Sequence, residues 1–421
     1  MSSSVPEGWI STTFDQIFRD IKNGCSFDQN AYKEGVPVTR IETISSEKID
    51  FSKVGWVNTD DDIERFRINK GDILFSHINS LKHIGKTALK VDDRPLYHGM
   101  NLLRFQINVD KYSPRYMHNL LSWDVVREDM RKKAKQAINQ ASLNVQDIKA
   151  SEYAVPPLPE QQKIAAILSS VDDVIEKTRA QIDKLKDLKT GMMQELLTKG
   201  IGNSAFKDSP VGRIPEGWEV CMASEVADEV MVGVVIKPTQ YYVDSGVPAL
   251  RSANVREGGL TMENLKYFSK ESNDLLKKSK LRKGDLLTVR TGYPGTTAVV
   301  TEDFEGCNCI DVVITRPSER MNSDFFSLWV NSDNGKGQVL KAQGGLAQQH
   351  FNVGDMKNLL VAVPPLEEQK SIFNIVDSVT KKVSIAEVRL EQVRRVKKAL
   401  MQDLLTGKVR VNIDIKENAV A

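Results

Sequence analysis

Pro156-Pro157-Leu158-Pro159-Glu160-Gln161 returns as Pro364-Pro365-Leu366-Glu367-Glu368-Gln369, an offset of 364 − 156 = 208. Met193-Gln194-Glu195-Leu196-Leu197-Thr198 returns as Met401-Gln402-Asp403-Leu404-Leu405-Thr406, and 401 − 193 is again 208. The segment between the two motifs has therefore kept its length in both copies. An unbroken helix explains this, because one inserted residue rotates everything beyond it by about 100°. Prolines at the start and glycines just past the end (Gly200, Gly407) are the punctuation such a helix needs.

Working inward, Ile164, Leu168, Val171, Ile175, Thr178, Ile182, Leu185, Leu188 and Met192 recur at spacings of four and three. Ile372, Val376, Val379, Val383, Ala386, Leu390, Val393, Val396 and Leu400 repeat the pattern. Charged and amide residues fill the gaps, leaving a narrow apolar seam of the coiled-coil kind. Each copy reads as about 38 residues, roughly 57 Å of helix. Matching seams predict that the two helices pack on each other.

Working outward, the regions before the helices repeat more loosely. Pro6-Glu7-Gly8-Trp9 returns as Pro215-Glu216-Gly217-Trp218, Gly35–Arg40 parallels Gly246–Arg251, and Lys70-Gly71-Asp72 parallels Lys283-Gly284-Asp285. Their offsets wander through 209, 211 and 213, which places insertions in loops between shared core elements. Asn144-Val145 and Asn352-Val353 restore the 208 offset just before each helix. The segments are short, β-branched and punctuated by Gly and Pro, so each region reads as a β-rich α+β module. The order is module, long helix, module, long helix.

The bulk numbers agree. A chain of 421 residues exceeds what one core usually serves, and 40% apolar with 27% charged residues is a globular composition. A formal charge of +2 excludes a histone-like binder and requires any nucleic-acid surface to be local. No apolar run approaches a membrane span, and Met1–Pro6 lacks a signal-peptide pattern, so a cytoplasmic location is the expectation. Cys25, Cys221, Cys307 and Cys309 lack zinc-site spacing and read as reduced thiols.

Two similar modules held apart by rigid helices make a caliper suited to a target with two half-sites. A protein–protein scaffold fits the same architecture. The doubled Pro-Pro-Leu-x-Glu-Gln and Met-Gln-x-Leu-Leu-Thr motifs, with Pro-Glu-Gly-Trp opening each half, decide between them. Over residues 5–411 the chain resembles the specificity subunit of type I restriction–modification systems. The resemblance implies target-recognition domains at 1–155 and 201–363, long helices at 156–200 and 364–408, and a tail at 409–421. It implies an antiparallel coiled coil with an internal pseudo-two-fold repeat. Each module is then expected to read half of a bipartite, asymmetric site in double-stranded DNA. The helices are expected to set the spacer and dock two methyltransferase subunits, with motor–nuclease subunits joining for restriction. No cofactor is expected in this chain; S-adenosylmethionine, Mg and ATP belong to the partners.

Base readers need Arg, Lys, Asn, Gln or hydroxyl side chains on loops. In the second module, Arg290-Thr291-Gly292-Tyr293-Pro294-Gly295-Thr296 resembles the glycine-flanked loop that this family turns toward DNA. The matching stretch of the first module is Ser76–Lys86, with His77, Asn79, Lys82, His83 and Lys86 as candidates. An ordinary hairpin loop is the bland reading of both. Amide-rich stretches before each helix add Gln136, Asn139 and Gln140 in one module and Gln343, Gln348 and Gln349 in the other, although solvated loops look similar. Arg127, Arg131, Lys132, Lys133 and Lys135 form a basic run that suits either a phosphate track or a solvated face. Arg40 and Arg251, equivalent in the two halves, point to a shared structural role.

Catalytic readings fail on their motifs. The Asn/Asp-Pro-Pro-Tyr/Phe signature and glycine-rich cofactor loop of an amino-methyltransferase are missing. Gly85-Lys86-Thr87 has Ser80 where a phosphate-binding loop needs glycine. His77, His83, His98, His118 and His350 show neither metal nor triad spacing, and Asp60-Asp61-Asp62 reads as a solvated turn. No intrinsic activity is expected.

Overall fold

The computed structural model describes residues 5–30, 33–138, 140–342 and 350–413. Helix and sheet are mixed throughout, and the chain divides into two compact units. One comprises residues 1–179 and 388–421, the other residues 180–387, so each holds one module and half of each long helix.

The long helices run Leu158–Lys199 and Leu366–Leu405, 42 and 40 residues, slightly longer than expected. The repeated glutamine explains why their start is so uniform. Gln161 accepts from the Ser113 amide at 2.9 Å and donates to the carbonyls of Lys111 and Pro156. Gln369 does the same with the Asn322 amide at 2.8 Å and the carbonyls of Arg320 and Pro364. Both amides are buried, and each bolts the first turn of its helix to the module before it. The preceding glutamates act at the other end of a helix. Glu368 accepts from Ile201 N, Asn203 Nδ2 and Trp218 Nε1, while Glu160 accepts two bonds from Arg410 at 2.7 and 2.9 Å.

Gly200 and Gly407 end the helices with φ of +64° and +69°. A β-carbon on Gly200 would lie 2.3 Å from Glu368 Oε1, and one on Gly407 2.7 Å from Pro6 Cγ. Only glycine combines that left-handed backbone with that approach.

Most of the seam is buried. In the first unit Ile164 and Leu168 share a core with Met401, Leu404 and Leu405, and Lys397 Nζ meets Asp172 at 2.6 Å. In the second, Leu197 shares a core with Ile372, and Lys186 meets Glu387 at 2.7 Å. Leu188 and Val396, one repeat apart, depart from the expected seam at 50% and 54% exposure. The steps Ile182–Leu185–Leu188 and Leu390–Val393–Val396 are three and then three, so Leu188 and Val396 fall one residue short of the four-three register, a rotation of about 100° that carries them off the buried face.

Each module is built on an antiparallel four-stranded sheet of the same order. In the first it runs Phe18–Asn23, Leu103–Ile107, Ile73–Phe75, Thr87–Leu89; in the second Ala227–Val232, Val312–Pro317, Leu286–Val289, Thr297–Val299. Even the irregularity recurs, between Phe18 and Asp20 and between Ala227 and Glu229. Ile73, Leu74 and Phe75 are all fully buried, as are Leu286 and Leu287, because these sheets are covered on both faces. A second pairing closes each module: Ile10–Thr13 lies against Glu152–Val155, and Glu219–Met222 against Leu360–Val363. The chain therefore leaves each module beside the point where it entered.

The expected structural role of Arg40 and Arg251 has a physical basis. Each amide donates to the side chain three residues on, Thr43 or Asn254, and each guanidinium binds an oxygen of a neighbouring loop, Gln29 Oε1 or Asn264 O. Cys25, Cys307 and Cys309 are buried free thiols, pushed above their ordinary range by burial. Among the described residues no helix is long and apolar enough to cross a membrane.

Candidate nucleic-acid interface

The second module's loop connects strands Leu286–Val289 and Thr297–Val299 as a closed hairpin. The Val289 amide donates to Thr296 O at 2.8 Å, and the Gly295 amide to Val289 O at 3.0 Å. Gly292 and Gly295 take φ of +92° and +84°. A β-carbon on Gly295 would lie 2.8 Å from Val339, whereas Gly292 faces open space. Tyr293 stands at the apex with 83% exposure, and Thr291 and Thr296 are half-buried beside it.

Arg290 is placed differently from the sequence expectation. Its guanidinium forms a close ion pair with Asp311 and donates to Asn352 Oδ1 at 2.9 Å, leaving its side chain 18% exposed. Its carbonyl accepts from the Phe351 amide at 3.0 Å. Arg290 is thus a brace tying the hairpin to the stretch before the second long helix, and Tyr293 is the residue left free to touch a ligand. Gln343, Gln348 and Gln349 lie outside the described residues.

In the first module the two candidate stretches meet. Strand Ile78–Asn79 pairs with Gln140–Ser142, which pairs in turn with Lys135–Ala137. His77 does not reach the surface. It is 5% exposed, and burial pushes its imidazole down to about 4, so it serves the interior. The reason is the strand before it, whose complete burial continues through Ser76. Asn79 caps its own turn, accepting from the Ser80 amide at 2.8 Å. Lys86 donates to Ser45 O at 2.7 Å. Lys82, Gln136 and Gln140 are exposed, and His83 is half-buried. Burial lowers the His83 imidazole below its ordinary range, and the charges of Lys86, Lys82 and Arg131 lower it further. Asn139 lies outside the described residues.

The basic run divides into two classes. Arg127 grips Glu47 with two hydrogen bonds, 3.1 and 2.7 Å, and Lys133 pairs with Asp129 at 2.8 Å. Burial works to raise the Glu47 carboxyl, yet the Arg127 bonds and charge prevail and hold it below its ordinary range. Arg131 donates to Lys82 O at 3.2 Å. Lys132 and Lys135 are exposed and form no ion pair among the described residues, which leaves them available to phosphates. Each module thus presents exposed polar groups on a hairpin anchored to a buried sheet. Among the described residues no group of three or more His, Cys, Asp or Glu could hold a metal.

The family described as the type I restriction modification DNA specificity domain matches this chain twice, at residues 6–187 and 215–395. The chain belongs to that family. It is a specificity subunit, the DNA-recognition part of a type I restriction–modification complex rather than its catalytic part. It is 34% identical to the MjaX specificity subunit of Methanocaldococcus jannaschii over 97% of this chain and 95% of that one. It is 22% identical to the EcoBI specificity subunit of Escherichia coli, over 92% and 84% of the two chains. Among solved structures, a chain from work on complex assembly and conformational transition of the type I R-M system covers 97% of this chain and 100% of its own. That likeness has a TM-score of 0.59 at 17% identity and concerns the fold. Two exposed features of this specificity subunit go beyond the candidate reading loops: the free pair Lys132 and Lys135 within the basic run, and Ile138 between the hairpin strands, which no motif announced. The basic run held the first signal, but pairing partners up to 80 residues away decide which of its cations are spent.

Proposed function

We propose that this specificity subunit reads a bipartite, asymmetric site in double-stranded DNA, one half per module. The observation that carries this reading is the pair of sheets with one strand order whose exposed hairpins differ in sequence. A shared frame with different polar tips suits two half-sites of unlike sequence. Tyr293 and Thr296 contact one half-site; Lys82, Gln136 and Gln140 contact the other, with Lys132 and Lys135 on phosphates. Recognition domains are 1–155 and 201–363, spacer helices 156–200 and 364–408, and the tail 409–421.

The helices form an antiparallel coiled coil, relating the modules by a pseudo-two-fold axis and fixing the spacer. Support comes from contacts inside each unit. Asp172 meets Lys397 while Glu160, nearer the helix start, meets Arg410; Lys186 meets Glu387 while Leu197, nearer the helix end, clusters with Ile372. Advance along one helix is matched by retreat along the other. The exposed apolar side chains Leu188, Ile385, Val388 and Val396 offer docking area for two methyltransferase subunits, and motor–nuclease subunits join for restriction. Methyl transfer from S-adenosylmethionine and Mg- and ATP-dependent steps belong to those partners, in the cytoplasm.

Long-read mapping of N6-methyladenine in cells expressing this chain with its methyltransferase subunit tests the reading. The expected result is methylation at one split motif, absent when this chain is omitted. No new methylation from an assembled complex with an active methyltransferase would overturn it in favour of a scaffold.

A further inference from the structure

Ile138 is 95% exposed, more than any other large hydrophobic side chain among the described residues. It stands where strand Lys135–Ala137 turns back toward Gln140–Ser142. Turn chemistry does not select isoleucine, since hairpin turns favour Gly, Asn and Asp. Core packing does not select it either. Scattered surface hydrophobics are ordinary on a flat face, but this one caps a projecting rod whose residues Lys135, Gln136, Ala137, Gln140 and Ser142 are all exposed.

The rod is firmly rooted. Ala141 is buried and pairs with Asn79, Ser142 pairs with Ile78, and the Leu143 amide donates to His77 O at 2.8 Å. The tip is therefore held by the strand that carries the first module's candidate loop. The elements that root it are cationic and amide-bearing: Lys132 in the preceding helix, Lys135 at the hairpin root and Lys82 just past strand Ile78–Asn79 carry no ion pair among the described residues, and Gln136 and Gln140 lie on the two hairpin strands. An apolar tip on a hairpin whose root and preceding helix end carry unpaired cations complements a ligand with anions outside and a flat apolar stack inside, which is duplex DNA. Proteins that insert Phe, Leu, Ile or Met between base pairs use this combination.

We propose that Ile138 is a wedge that enters a base step in the half-site approached by the first module and partly unstacks it, while Lys132 and Lys135 hold flanking phosphates. This rests on that module's reading of DNA and adds to it a readout of how readily one step opens.

The test uses the full chain with its methyltransferase subunit, on duplexes carrying the split motif found by methylation mapping. 2-Aminopurine is scanned across both half-sites, omitting the methylated adenine. The expected result is enhanced fluorescence at one step, lost in Ile138→Ala together with about tenfold in affinity, and retained in Ile138→Leu. Unchanged enhancement and affinity in Ile138→Ala would overturn the wedge, as would a protected half-site with no enhanced step in the wild type. Loss of methyltransferase binding by Ile138→Ala without DNA would make Ile138 a protein contact instead. A half-site that footprinting finds unprotected would sink the DNA-reading assignment itself.

Discussion

At the scale of single residues, Arg290 and Tyr293 separate two jobs that one loop performs. Tyr293 is surrounded by solvent, so Tyr293→Ala should leave unfolding free energy within about 0.5 kcal/mol of wild type. It should nevertheless weaken binding to DNA carrying the second half-site, by about 1–3 kcal/mol if the ring stacks on or abuts a base. Arg290→Ala should affect both measurements, because it frees Asp311 and unties the hairpin from Asn352. Denaturant titration paired with equilibrium binding on intact and half-site-substituted duplexes checks the contrast. Equal effects of the two substitutions on stability would remove the brace assignment. The sequence could suggest the loop but not this division of labour, since the partners of Arg290 lie 21 and 62 residues away. His77 was misplaced for a related reason: a strand buried on both faces has no alternation to reveal which side chains point outward.

Among the elements, the long helices were the most legible, because a spacing of three and four writes the buried face directly into the sequence. Their glycine stops were equally plain. What the motifs at their starts do was not legible, since Gln161 bonds to Lys111 and Ser113 some 50 residues earlier. Gln161→Ala or Gln369→Ala should cost about 2–4 kcal/mol, because a buried amide and two carbonyls lose their partner together. Hydrogen exchange on the intact chain should show that loss in the first turns of the affected helix, with the other helix start unchanged. Uniform loss across both starts would mean the two bolts are not independent. The exposed Leu188 and Val396 mark where the periodic reading failed, and it failed at the same step of the repeat in both helices.

For the whole molecule, acid should act unequally on the two units. His77, His98 and His118 all lie in the first, each pushed down to about 4 with burial as the main cause. Unfolded, they titrate near about 6.5. Below that value the unfolded chain takes up protons that the folded unit refuses, so stability is intact above about pH 6.5 and declines as pH falls toward 4, by on the order of 2 kcal/mol per buried histidine at pH 5. The second module's one described histidine, His350, is exposed. Hydrogen exchange at pH 7.5 and 5 should therefore show lost protection in Ile73–Phe75 and Leu103–Ile107 while Leu286–Val289 and Val312–Pro317 keep theirs; parallel losses would refute the asymmetry. Length should matter as much as charge. Four residues inserted into either long helix add about 6 Å, near two base-pair steps of about 3.4 Å, and methylation mapping should report a longer spacer between unchanged half-motifs. An unaltered spacer would exclude the helices as the ruler. The strand pairs that close each module, Ile10–Thr13 with Glu152–Val155 and Glu219–Met222 with Leu360–Val363, bear on heredity as well as on folding. Entry and exit lie side by side and are bounded by near-identical anchor sequences in both halves. A crossover between related genes at those anchors is therefore expected to carry one module across whole and leave both long helices intact, so a hybrid chain should change one half-motif and keep the other.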